Sequence, residues 1–261
     1  MSDTVLAGPP TGDLCVAGIK HSGTAVGKRV TIAGVPTYIS EPKDPGTERV
    51  ILFYSDVYGP FYLNNQLIQD FFAENGFIVV GIDYFLGDPI YLHNDEVGFN
   101  REVWFSKSRT QTERILPGWL EAVKQKYGPS AKYTAVGYCY GAPYTLDAAA
   151  SDWLVAAAIA HPADLSGDHF RKAKKPLFLS CAEVDHTFPL ASRRRAEDIL
   201  VALKTPYTIQ VFGRVAHGFA VRGDPEVGDT RWAKEESARG IINWFKRFLD
   251  EEDHKNKIAK L

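Results

Sequence analysis

Cysteine and methionine are scarce in this 261-residue chain, with three of the first and one of the second. Cys15, Cys139 and Cys181 are odd in number and form no CxxC pair, which excludes a disulfide framework and a zinc-finger scaffold. No charge surplus exists either: 30 Lys+Arg against 32 Asp+Glu give a formal net charge of −2. That leaves no electrostatic footprint for nucleic acid or an anionic membrane. Long hydrophobic runs are missing, since no stretch of about 18 apolar residues appears. The opening MSDTVLAGPPTGDLC has neither the basic nor the apolar region of a secretory signal. The expectation is a cytoplasmic protein of a reducing compartment, with no nucleic-acid or membrane partner. What is present, 45% hydrophobic and 12% aromatic residues, suffices for a large core.

After a Gly/Pro-rich lead, the β-branched segment 29–40 (RVTIAGVPTYIS) carries a turn signal at Ala33-Gly34 and reads as an edge hairpin. Apolar runs at 50–54, 77–83, 133–137, 154–160, 176–181 and 208–212 then alternate with helical patterns near 64–74, 110–126, 142–150, 189–204 and 231–251. Continuous apolar strands alternating with helices predict an α/β fold with a mostly parallel central sheet and helices on both faces. No repeat or linker divides it, so one domain over 1–261 is expected. The segment 85–107 is rich in Gly, Asp, Asn and aromatics without periodicity, and is expected to be a lid or active-site loop.

The chemistry centres on Gly137-Tyr138-Cys139-Tyr140-Gly141, where a strand ends in Gly-x-Cys-x-Gly and a helix follows. This is a nucleophile elbow with cysteine. A lone GxCxG is weak, and a buried thiol in a Gly-flanked turn is its bland competitor. A nucleophile of this type needs an acid and then a histidine downstream. Asp185 follows the strand at 176–181, and His217 follows the last strand, so three roles fall in order on three strand-end loops. Asp185 as a helix cap, Glu183 as rival carboxylate and His186 as rival base are the alternatives. His93, His161 and His169 read as solvated loop residues, and Cys15 and Cys181 as structural thiols. An oxyanion hole would use the backbone amide of Tyr140 and that of Val57 in the turn Ser55-Asp56-Val57-Tyr58-Gly59.

Through DVYG, VGYCYGA, EVDHTFP and HGFAVRG, over roughly 50–248, the sequence resembles the dienelactone hydrolase family of α/β-hydrolases, in its eukaryotic and especially fungal branch. The resemblance implies a cysteine-dependent hydrolase of a lactone, enol ester or other activated ester, with Cys139 as nucleophile, Asp185 as triad acid and His217 as base. It places an acidic residue that holds the resting thiol at Asp56. Arginines that take a substrate carboxylate in bacterial members are not matched: Val221 stands where one is expected, and Arg222 is displaced by one residue. Tyr58, Tyr138, Tyr140, Phe85 and Arg222 are expected around the substrate. No cofactor or metal is implied, the partner is a small lactone or ester, and the chain is expected to be a monomer or homodimer. Lactamase, thioesterase or cyclisation chemistry on the same triad is the alternative, and a non-catalytic binding protein a weaker one. The C-terminal Ala259-Lys260-Leu261 resembles the Ser-Lys-Leu peroxisomal address, with a frayed basic tail as the competing reading.

Overall fold

The computed structural model describes residues 4–44, 46 and 48–258, so the C-terminal tripeptide lies outside the described residues. The chain begins with a short strand, β1 (Val5–Ala7), and a one-turn helix, α1 (Asp13–Val16), neither of which has a sequence periodicity to announce it. The expected hairpin follows as β2 (Lys28–Ile32) and β3 (Val35–Ser40), paired antiparallel. Ala33 and Gly34 both adopt positive φ, 49° and 78°, the conformation that matches the twist of the flanking strands.

Next come β4 (Arg49–Tyr54), α2 (Leu63–Glu74), β5 (Ile78–Ile82), α3 (Arg101–Tyr127), β6 (Lys132–Tyr138), α4 (Ala142–Ala149) and β7 (Leu154–Ala160). They are followed by β8 (Leu165–Ser166), α5 (Gly167–Lys172), β9 (Leu177–Val184), α6 (Leu190–Leu203), β10 (Tyr207–Ala216), α7 (Phe219–Arg222) and α8 (Gly228–Ile258). Among the described residues the main sheet has eight strands in the order β10-β9-β7-β6-β4-β5-β3-β2. It is parallel from β10 to β5 and antiparallel at the β5/β3/β2 edge. β1 pairs separately with β8.

Both faces of the sheet are covered, which is why its inner strands are mostly apolar instead of alternating. One face joins Phe53, Phe72 and Phe178 to the apolar stripe of α8, where Ile241, Ile242, Phe245, Phe248 and Leu249 are buried. Each such side chain contributes on the order of 1.5–3 kcal/mol. The other face gathers Tyr54, Trp104, Trp119, Tyr140 and Phe188. Among the described residues no helix is long and apolar enough to cross a membrane.

The expected loop at 85–107 is shorter than its composition suggests. Asn100 caps α3, its Oδ1 accepting the amides of Glu102 and Val103 at 3.0 and 3.1 Å, so 101–107 is helical. The periodicity was hidden because the buried stripe of α3 includes Ser108 and Thr112. The loop before it is tied down. Asp83 accepts the amides of Phe85 and Gly87, and the His93 ring lies 2.7 Å from both Asp88 and Glu96. Phe85 and Trp104 are core residues with ring centroids 5.0 Å apart, so this segment forms a wall of the molecule.

Candidate active site

β6 runs into a tight turn in which Cys139 has φ 48°, a strained left-handed conformation for a residue with a side chain. A single 3-10 turn, Cys139–Gly141, leads directly into α4. The flanking glycines are dictated by space. A β-carbon at Gly137 would overlap Thr145 Oγ1 and the Gly141 carbonyl, and one at Gly141 would overlap the carbonyl of Tyr54. That second contact presses the elbow against the end of β4, which sets the loop 55–59 beside Cys139. Gly141→Ala is expected to cost about 3 kcal/mol or more, because backbone must move. Gly118→Ala in α3, with no atom within 4 Å of the new methyl, should gain roughly 0.5–1 kcal/mol. Thermal unfolding of the two variants in parallel tests this contrast.

The three strand ends bring Cys139, Asp185 and His217 together. His217 Nε2 lies 3.2 Å from Cys139 Sγ, and His217 Nδ1 lies 3.0 Å from Asp185 Oδ1. An ionised carboxylate can only accept, so Nδ1 carries the proton and Nε2 faces the sulfur. Asp185 Oδ1 also accepts the amides of Thr187 and Phe188 at 2.9 and 3.0 Å. Burial works to raise the Asp185 carboxyl, but the His217, Thr187 and Phe188 hydrogen bonds outweigh it and hold it at about 2. Burial works equally to lower His217, and its bonds to Asp185 and Cys15 outweigh it, lifting the imidazole to about 9. Asp185 caps no helix, since the residue before α6 is Pro189, and Glu183 accepts the Arg214 amide away from the site.

Cys15 departs from the expected structural thiol. Its sulfur lies 3.5 Å from His217 Nε2 and 3.4 Å from His186 Nε2, and it touches Cys139 in a buried cluster with Ala163. The hydrogen bond with Cys139 lowers Cys15 to about 3, against its burial and with help from His186 and His217. Burial pushes Cys139 up, and proximity to Cys15 adds to it. The charged form is therefore favoured on Cys15 and disfavoured on Cys139. Geometry still separates them. Only Cys139 sits on the elbow with the Tyr140 amide hydrogen-bonded to its sulfur, and the Val57 amide donates to no protein acceptor among the described residues. Cys181 is buried in β9, where burial pushes its thiol to about 12.

Cys15 belongs to an N-terminal strap that covers the elbow and leaves Cys139 without exposure. The Gly8 amide donates to Thr187 O, the Asp164 amide to Gly8 O, and Tyr58 Oη to Val16 O, at 2.8, 2.7 and 2.8 Å. Arg222 is the main fastener. Its guanidinium donates to the carbonyls of Ala17 and Cys15, both at 2.9 Å, pairs with the carboxylate of Asp56, and lies 4.6 Å from the Tyr58 ring centroid.

These contacts correct several expectations. Asp56 does not hold the resting thiol. It is bound by Arg222, by Asn65 Nδ2 at 2.9 Å and by the Tyr58 amide at 3.1 Å. Arg222 is buried, with its Nε on Ala17 O, its Nη2 on Cys15 O and its Nη1 on Asp56. Tyr138 is packed against Phe53 and His161 on the α8 side of the sheet. Phe85 and Tyr140 pack with ring centroids 5.0 Å apart in the opposite core, with the Tyr140 hydroxyl 2.7 Å from Thr112 Oγ1. His161 is fully buried, 5.0 Å ring to ring from His217, rather than solvated, and burial drives its pKa well down. A surface hollow of about 930 Å³, lined by Pro129, Lys132, Trp153 and Lys174 among others, opens where the strands begin. In open α/β sheets ligands bind beyond the carboxyl ends of the strands, which is where Cys139, Asp185 and His217 lie.

Sheet order, elbow and the sequence Cys-Asp-His at the ends of β6, β9 and β10 define an α/β-hydrolase. A Klebsiella pneumoniae subsp. pneumoniae crystal structure assigned as a dienelactone hydrolase superposes with a TM-score of 0.71 over 87% of this chain and all of that one, at 15% identity, a likeness of fold alone. The dienelactone hydrolase family matches residues 35–249. The chain is also similar to hydrolase pyvD of Aspergillus violaceofuscus, 34% identical over 241 residues and covering 92% of this chain and 98% of that protein. To dienlactone hydrolase 1 of Gibberella moniliformis it is 33% identical over 261 residues, covering 97% and 99%. The chain belongs to the dienelactone hydrolase family and is a carboxylic ester hydrolase.

Proposed function

We propose that this hydrolase cleaves a lactone, enol ester or similarly activated small ester through a covalent Cys139 acyl-enzyme. The observation that carries the reading is the hydrogen-bonded line Cys139 Sγ, His217, Asp185 at 3.2 and 3.0 Å, starting from a strained elbow. Cys139 yields its proton to His217 Nε2 as its sulfur adds to the carbonyl carbon, and the amides of Val57 and Tyr140 receive the oxyanion. The tetrahedral intermediate collapses, expelling the leaving oxygen, which takes the proton held on His217. His217 then removes a proton from water as it attacks the thioester, and returns it to the Cys139 sulfur as the acid product leaves. Asp185 fixes the tautomer throughout. A thiol nucleophile suits leaving groups such as enolates or phenolates better than amines.

Because Cys139 is enclosed, substrate reaches it by displacement of the strap. α1 is four residues long and is fastened by the Arg222 hydrogen bonds to the carbonyls of Cys15 and Ala17 and by the Asp13–Arg101 ion pair instead of a broad apolar face, so it is the element that opens. Rapid quench of the chain with an activated aryl ester, followed by intact-mass and peptide analysis, should show one acyl group on the Cys139 peptide. Turnover without a bound acyl group, or an adduct confined to Cys15, would overturn the reading. A panel of enol lactones, thioesters and lactams ranks the leaving groups, and preferred lactam turnover would shift the assignment to lactamase chemistry.

A further inference from the structure

We propose that Cys15, Cys139 and His217 form a binding site for a thiophilic divalent cation, with zinc as the representative ion. Zinc takes thiolate at about 2.3 Å and imidazole nitrogen at about 2.0–2.1 Å in tetrahedral geometry, which puts neighbouring ligand atoms roughly 3.5–3.8 Å apart. His217 Nε2 is already 3.2 Å from Cys139 Sγ and 3.5 Å from Cys15 Sγ, and all three ligand atoms lie within 4.8 Å of one another. Only small side-chain adjustments separate this arrangement from a three-ligand site.

The surroundings are those of a metal site as well. His217 Nδ1 is fixed 3.0 Å from Asp185 Oδ1, the carboxylate–histidine support that orients Nε2 toward a metal and strengthens it as a ligand. Two sulfurs and one nitrogen form a soft donor set, which favours zinc over magnesium or calcium. At the exposed side, His186 Nε2 stands 3.4 Å from Cys15 Sγ, where a ring rotation offers a fourth ligand in place of water. On binding, two metal–sulfur bonds and one metal–nitrogen bond form, and the protons displaced from the sulfurs and from His217 Nε2 pass to solvent with no change of oxidation state. Binding itself does not depend on the catalytic reading. The loss of esterase activity on binding does, because the metal would occupy the nucleophile and the base together.

Cobalt(II) titration of the reduced full-length chain tests the site. One equivalent should give a thiolate-to-cobalt charge-transfer band and the ligand-field bands of a tetrahedral ion, and zinc should abolish both. In competition with a chromophoric chelator, Cys15→Ala is expected to weaken zinc binding by about 100-fold or more through loss of one of three ligands, and Asp185→Asn by roughly 10–100-fold. Cys181→Ala, remote in β9, should bind like the parent, and thermal scans of each variant show that it is folded. Absence of the charge-transfer band, or an affinity unmoved by Cys15→Ala, would overturn the proposal. Zinc bound with full esterase activity retained would instead count against the catalytic reading.

Discussion

Replacing Cys139 with alanine is expected to lower kcat on an activated aryl ester by about 10⁴ or more while leaving the chain folded, since only the oxyanion donors and binding would remain. His217→Ala should cost a similar factor, and the double variant little more than either single one, because residues that act as one unit are not additive. The experiment has particular content here because a second thiol, Cys15, lies beside the same imidazole. By ionisation alone Cys15 would be the nucleophile, as the sulfur whose pKa is lowered. Yet Cys15 lies on the strap helix α1, whereas Cys139 stands at the elbow with the Tyr140 amide on its sulfur. Activity that survives in Cys139→Ala and disappears in Cys15→Ala would reverse the assignment.

Arg222→Ala is expected to be the most destabilising single change outside the core. It leaves the Asp56 carboxylate buried without its cation and strips the carbonyls of Cys15 and Ala17 of their donor. Breaking a buried ion pair on one side costs about 3–5 kcal/mol, roughly 6–20 °C in melting temperature for a chain of this size. Arg222→Lys should recover only part of this, because an ammonium cannot reach Asp56 and two carbonyls at once. The paired change Asp56→Asn with Arg222→Met should recover most of the stability, since neither buried charge remains. A fastener also has a kinetic signature. Alkylation of Cys139 by iodoacetamide should be faster in Arg222→Ala than in the parent, and an unchanged rate with a loss below about 1 kcal/mol would remove Arg222 from this role.

The sheet, the elbow and its two partners are legible in the sequence for one reason: each of Cys139, Asp185 and His217 closely follows a run of apolar residues whose strand character is plain. Cys15 had no such marker. Its segment is Gly/Pro-rich and aperiodic, and its partners His186 and His217 are 171 and 202 residues further on, so no local pattern could place it. Tyr138 and Tyr140 show a second limit. Residues two apart in a strand share a face, but the positive φ of Cys139 turns the chain between them and sends the two rings into opposite cores. Arg222 shows a third. HGFAVRG correctly puts it near the site, but only the backbone of the strap decides that its guanidinium turns back toward residues 14–17. The helical start at Arg101 was lost because Ser108 and Thr112 interrupt the apolar stripe of α3.

The strap also orders events during synthesis. It leaves the ribosome well before the residue that fastens it, since Arg222 lies 207 residues beyond Cys15. Contacts of such sequence separation form late, after the parallel strands between them have paired. Until then Cys15 and Cys139 are thiols of an unfinished chain, open to oxidation or mispairing, so the yield of active enzyme in a cell should depend on how reducing the medium is while β9, β10 and α7 are still being added.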